Sequence, residues 1–122
     1  KTVECGTPWN FDMPIALSSC SGTNVTLQVV GTVTNRTGFC GNTMNVTRTW
    51  EIGDTCGNRP VCIQTVTVVD TTPPTLSCAA NVTVEYGSTW SFATPAASDN
   101  CDGPSVTVHV IGFGASVLLT SR

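Results

Sequence analysis

The feature that most restricts this chain is an internal repeat: residues 3–31 return at residues 84–112, an offset of 81 residues without a gap. Val3-Glu4-x-Gly6 matches Val84-Glu85-x-Gly87, and Trp9-x-Phe11 matches Trp90-x-Phe92. Pro14-x-Ala16 matches Pro95-x-Ala97, and Cys20-x-Gly22 matches Cys101-x-Gly103. Val25-Thr26-x-x-Val29-x-Gly31 matches Val106-Thr107-x-x-Val110-x-Gly112. About thirty aligned residues, nearly half of them identical, mark a repeated supersecondary unit. After Gly112 the match dissolves.

A period of 81 divides the 122-residue chain into about one and a half units. Unit one takes residues 1–70 and lacks its first strand; unit two takes residues 71–122 and is incomplete. The junction reads Asp70-Thr71-Thr72-Pro73-Pro74. Proline fixes φ and holds the residue before it extended, so two in succession make a short stiff connector.

Within each unit the apolar residues alternate, the period of a strand with one buried face. In "NVTLQVV" Val25, Leu27 and Val29 share a face, with Asn24, Thr26 and Gln28 opposite. In "NVTVEY" Val82, Val84 and Tyr86 oppose Asn81, Thr83 and Glu85; in "NVTRTW" Val46 and Trp50 oppose Asn45, Thr47 and Thr49. The helix formers Lys, Glu, Leu and Ala are scarce and β-branched residues abundant. The expectation is an all-β protein of about seven strands per unit, a β-sandwich. Trp9, Phe11, Phe39, Trp50, Trp90 and Phe92 are the large side chains available to its core.

Charge and cysteine narrow the function classes. Charged residues make up 11% and the net charge is −3, which leaves no electrostatic footprint for nucleic acid. No apolar run is long enough to span a bilayer as a helix, so no membrane insertion is expected. Seven cysteines point to an oxidising compartment, extracellular or at a cell surface. Four Asn-x-Thr triplets, at Asn24, Asn35, Asn45 and Asn81, are candidate carriers of N-linked glycans. Three of them fall on the polar faces of expected strands, and Asn35 falls in a Gly- and Thr-rich turn.

The run "TRTWEIGDTCGNRPVCIQTVTVVDTTPPTLSC" (residues 47–78), with "NVTVEYG" and "SDNC", resembles the hyalin-repeat (HYR-like) branch of immunoglobulin-like domains. The likeness covers nearly all of residues 1–112. It implies tandem immunoglobulin-like β-sandwich modules serving adhesion or structure outside the cell, without catalysis. Departures are Tyr86 where copy one has Cys5, and Ser18-Ser19 where copy two has Asp99-Asn100. The resemblance further implies that Cys78 and Cys62 are of the type that pair within one unit. Their partners would then lie outside residues 1–122, in a neighbouring unit. Local pairing remains for the others, Cys5 with Cys20 and Cys40 with Cys56, each bridge contributing about 3 kcal/mol by loop entropy. Cys101, facing Tyr86 in its own unit, is free or pairs outside the unit. Spacing leaves the connectivity open.

No catalytic constellation accompanies the repeat. The single His109 lies between two valines, and Cys56-x5-Cys62 is not the spacing of a zinc site. Asp70, Asp99 and Asp102 offer hard oxygen ligands for Ca²⁺, yet Asp and Asn serve turns more often, and copy one lacks the pattern. Neither cofactor nor metal is expected. The reading is a non-catalytic structural module of a glycosylated extracellular fibre or surface protein. The alternative is an adhesin or carbohydrate-binding module, for which Trp9 and Trp90, or the aspartates, are the candidates. Copy one lacks the strand that copy two supplies as "PTLSC", and copy two lacks equivalents of "NVTRTW" and "CIQTVTVV". Either a longer tandem array is cut, or copies of the chain complete one another by donating strands head to tail.

Overall fold

The computed structural model describes residues 1–112 and residue 114. These residues form six β-strands and no helix: β1 (Thr2–Glu4), β2 (Thr26–Asn35), β3 (Met44–Gly53), β4 (Val61–Val69), β5 (Thr75–Ser77) and β6 (Ala96–Ser98). The first four make one sheet in the order β1-β4-β3-β2, and β5 with β6 makes a second of two strands. β2, β3 and β4 run antiparallel in sequence, while β1 pairs parallel with β4 through Thr2–Thr67, Val3–Val68 and Glu4–Val69. The chain is all-β, as expected.

Residues directly opposite across a ladder share a face, and the register therefore sorts the sheet into two. On the inner face stand Met44, Val46, Arg48 and Trp50 of β3, opposite Val68, Val66, Gln64 and Cys62 of β4. Val66 is wholly buried, and Val46, Trp50 and Val68 are nearly so. Full burial of side chains of this size is worth about 1.5–3 kcal/mol each. The outer face carries Asn45, Thr47 and Thr49 opposite Thr67, Thr65 and Ile63, with the Thr47 and Thr65 hydroxyls 2.9 Å apart. The alternation in "NVTRTW" is thus realised.

The inner face is covered by irregular chain rather than by a full second sheet. Phe11 meets Trp50 edge-to-face at 5.8 Å and Trp9 at 5.4 Å, and the Arg48 guanidinium lies 4.3 Å from the Phe11 ring centroid. The Asp12 N–H donates to Gln64 Oε1 at 2.8 Å, and Gln64 Nε2 donates back to Asp12 Oδ2 at 2.7 Å. These bonds satisfy the polar residue that β4 places among valines. The expectation of about seven strands per unit is corrected: among the described residues, four strands fall before the linker and two after it.

The second copy repeats the turns of the first but not its strands. Gly6 and Gly87 adopt φ of +82° and +84°. Trp90 and Phe92 form the same edge-to-face pair as Trp9 and Phe11, at 5.3 Å. The bridge Ser18–Gly22 recurs as Asp99–Gly103, and Thr7 N–H to Glu4 O recurs as Ser88 N–H to Glu85 O. Yet neither "NVTVEY" nor residues 106–112, the repeat of the start of β2, forms a strand. Their copy-one equivalents are held by β4 and β3, which have no counterparts among the described residues of copy two. A strand without a partner cannot satisfy its backbone groups, so alternation alone does not make one.

Candidate functional site: the junction of the two copies

A set of specific side-chain contacts lies where the two copies meet. β1 delivers Glu4 to the end of β4, and the next residue continues the ladder, with the Cys5 N–H donating to Val69 O at 2.7 Å. The Glu4 carboxylate then reaches over the linker. Oε1 accepts from the Thr71 N–H at 2.8 Å, the Thr72 N–H at 3.1 Å and the Thr72 hydroxyl at 2.9 Å; Oε2 accepts from the Thr71 hydroxyl at 2.8 Å. These bonds favour the charged form, the Thr71 N–H most, and lower the Glu4 pKa to about 2. The linker "DTTPP" is therefore rigid twice over, by its prolines and by this clamp.

Behind the linker a disulfide joins the copies. Cys5 bonds to Cys101, with Cα atoms 5.0 Å apart, and both are buried with Val66 and Val68. Val3, Trp9, Phe11 and Met44 pack around them. Cys101 is presented by the turn 99–103, where Asp99 Oδ1 accepts the N–H groups of Cys101 at 2.7 Å and Asp102 at 3.0 Å. Asn100 Nδ2 donates to Cys5 O at 2.7 Å, and Asn42 Nδ2 to Cys101 O at 2.8 Å. Gly6 is needed here on two counts: its φ of +82° disfavours other residues, and a Cβ would collide with Asn100 O.

The matching turn of copy one meets a different partner. Cys20 bonds to Cys56 with Cα atoms 6.5 Å apart, and the Ser18 hydroxyl donates to Asp54 Oδ2 at 2.9 Å. Asp54 also accepts from the N–H groups of Cys56 and Asn58 and from Asn58 Nδ2. Led by the Asn58 side chain, these bonds lower its pKa to about 2. Cys20, Asp54 and Cys56 form the one cluster of metal-ligand type among the described residues, but both sulfurs are spent in the disulfide. Asp70, Asp99 and Asp102 do not join in such a cluster. His109 is exposed.

The local pairing, Cys5 with Cys20 and Cys40 with Cys56, is corrected to Cys5–Cys101 and Cys20–Cys56. The reason is tertiary. β1 runs parallel beside β4 and carries Cys5 to the linker, where the second copy begins, so the closest thiol comes from 96 residues away. Cys101 pairs outside its own unit. Cys40, Cys62 and Cys78 are free, Cys40 and Cys78 exposed and Cys62 partly buried on the inner face. The signal that could have found Cys101 as the partner was Tyr86, the residue that removes its equivalent of Cys5.

Of the glycan acceptors, Asn24, Asn35 and Asn81 are exposed. Asn35 Oδ1 accepts the N–H of Thr37 in its own triplet at 2.9 Å. Asn45 stands directly opposite Asn35, on the expected face, but half-buried between β2 and β4, and its Oδ1 has no hydrogen-bond partner. Sequence placed it on a polar face; its neighbours across the sheet, Asn35 and Thr67, were not visible there.

A second surface lies on copy two. Trp90 and Phe92, 61% and 79% exposed, line an apolar groove of about 550 Å³ with Val82, Val84 and Pro95; Cys78 and Asn81 also border it. Trp9, by contrast, is half-buried against the core. The two tryptophans therefore do not form a common exposed line. Comparisons with known protein families, with curated proteins and with solved structures gave no significant match.

Proposed function

We propose that this chain is a non-catalytic structural module of a glycosylated extracellular fibre or surface protein, built from immunoglobulin-like, HYR-like tandem repeats. Copies of the chain join head to tail by strand complementation. The observation that carries this reading is the contrast between two like pairs. Trp9 and Phe11 pack on β3 and β4, while Trp90 and Phe92 have the same mutual geometry and an open groove. A surface shaped like a packed one, with nothing among the described residues packed on it, suits an incoming strand.

Two further features support it. β2 is a ten-residue edge strand, "TLQVVGTVTN", with neither charge nor proline to blunt its open edge. Its one blunting device is the register shift between Val29 and Gly31. Two disulfides also suit an oxidising, extracellular setting. Among the described residues no helix is long and apolar enough to cross a membrane. Electron microscopy of concentrated native protein, with non-reducing electrophoresis, tests the reading. Filaments or ladders of disulfide-linked copies support it; monodisperse monomers with Cys62 and Cys78 unreacted reject it.

The alternative, an adhesin or carbohydrate-binding module, draws on the same exposed Trp90 and Phe92, since an aromatic face beside polar groups can stack on a sugar. Titration with simple glycans distinguishes it: quenching of Trp90 emission by a monomeric chain favours binding over assembly.

A further inference from the structure

One of the four glycan acceptors stands elsewhere than its sequence pattern implies. In a strand, Asn81 would point away from Val82 and Val84, because successive side chains leave opposite faces. The segment forms no strand, and Asn81 lines the same groove as both valines. The other acceptors lie apart from that groove: Asn35 and Asn45 face one another across the first sheet, and Asn24 lies just before β2.

The groove has the make-up of a site for a sugar ring. Its volume of about 550 Å³ falls within the range of small-molecule sites, roughly 300–1,000 Å³. No charged residue lines it. Trp90 and Phe92 are both exposed and stand at 90° to one another, so their rings are set before anything arrives. A pyranose carries C–H groups on its flat faces and hydroxyls around its rim. Its faces can therefore cover aromatic surface while the hydroxyls stay in water. A sugar linked to Asn81 is already at the groove wall, and tethering gives it an effective concentration there that a free sugar lacks.

We propose that the chain's own glycan occupies this groove: the first sugar on Asn81 packs on Trp90 and Phe92 and closes the groove to an incoming strand. Attachment is ordinary glycosyl transfer. The bond from Asn81 Nδ2 to the sugar C1 forms, the bond from C1 to the oxygen of a phosphate-activated donor breaks, and the Nδ2 proton leaves with the displaced phosphate. The groove holds one occupant at a time, so modification of Asn81 decides whether copy two can receive another chain. The inference rests on the reading of the chain as a glycosylated, strand-complemented module, and its test separates the two.

The test uses the full chain secreted from a eukaryotic host that attaches N-acetylglucosamine to Asn-x-Thr triplets. Two variants accompany it, N81Q and T83A; the second removes the triplet and keeps Asn81, and Thr83 is exposed. Glycopeptide mapping reads occupancy, NMR reads the contacts of the sugar, and electron microscopy reads assembly. The expected result is an occupied Asn81 whose first N-acetylglucosamine gives cross-peaks to the Trp90 indole, with its ring protons shifted upfield; both signals are lost in W90A. N81Q and T83A then assemble at concentrations where the glycosylated chain stays monomeric. An unmodified Asn81 overturns the proposal, as does a sugar without contact to Trp90. Equal assembly with and without the glycan also overturns it. Contact at Trp90 with no assembly in any variant sustains the glycan in the groove and rejects strand complementation instead.

Discussion

Trp9 and Trp90 sit in matching places in two copies of one sequence, each at right angles to a phenylalanine two residues on. One is packed into a core and the other stands 61% exposed. The same contrast runs through the copies: Gly6 and Gly87 turn alike, but Cys5 is buried and the Tyr86 that replaces it is fully exposed. Turns depend on a few adjacent residues and therefore repeat wherever the sequence repeats. Strands and cores depend on partners distant in sequence, and only copy one has β3 and β4 beside it.

Substitutions in matching positions can break or sharpen this comparison. The largest effect is expected at the staples. Removing the Cys5–Cys101 bond with C5S and C101S together releases a loop of 96 residues, and loop entropy puts the loss at about 4–5 kcal/mol. Removing Cys20–Cys56 costs about 4 kcal/mol by the same estimate. Denaturant titration of both variants checks the order; equal and negligible losses would deny that the turns are stapled at all.

Next comes the core. W50A removes a side chain that is 2% exposed, and should cost about 3–5 kcal/mol. W9A, at a half-buried position, should cost about 2 kcal/mol, and W90A less than about 0.5 kcal/mol, as for a surface site. Unfolding midpoints measured on dilute monomer separate the three. A W90A loss as large as that of W9A would mean that copy two has a core of its own.

These contrasts also show what could be read from sequence. The repeat, the stiff linker and the alternating faces of β3 were legible because each is local. Val46 and Trp50 were separable from Asn45 and Thr47 by periodicity alone. The missing strand at "NVTVEY" was not legible: its alternation is as clean as that of "NVTRTW", and what distinguishes them is that no strand among the described residues lies beside it. Nor were the disulfides, because β1 reaches β4 across more than sixty residues and the loop-entropy argument favours no partner. The Glu4 clamp escaped for the same reason. Its carboxylate and the Thr71 and Thr72 groups it binds are 67 and 68 residues apart.

The smallest effect concerns that clamp. Glu4 titrates at about 2 in the folded chain against 4.5 ordinarily. A lowered folded pKa means the clamp's contribution is present above pH ~4.5 and fades as pH falls from there toward 2. Asp54, lowered from 3.8 to about 2, adds a similar loss beginning below pH ~3.8. E4Q should therefore flatten the upper part of the acid limb of stability and leave the Asp54 part. Side-chain carboxyl NMR titration that places Glu4 near 4.5 would remove the clamp from the account.

The most direct test of the comparison itself is amide hydrogen exchange at two matching positions in dilute monomer. The Cys5 N–H is bonded to Val69 O beside a buried disulfide, whereas its counterpart belongs to the fully exposed Tyr86, which lies in no strand. The account predicts that the Cys5 amide exchanges only through global or near-global opening, while the Tyr86 amide exchanges close to the unprotected rate. Comparable protection at both positions would contradict it, because copy two would then possess the strand partners that the structure gives only to copy one.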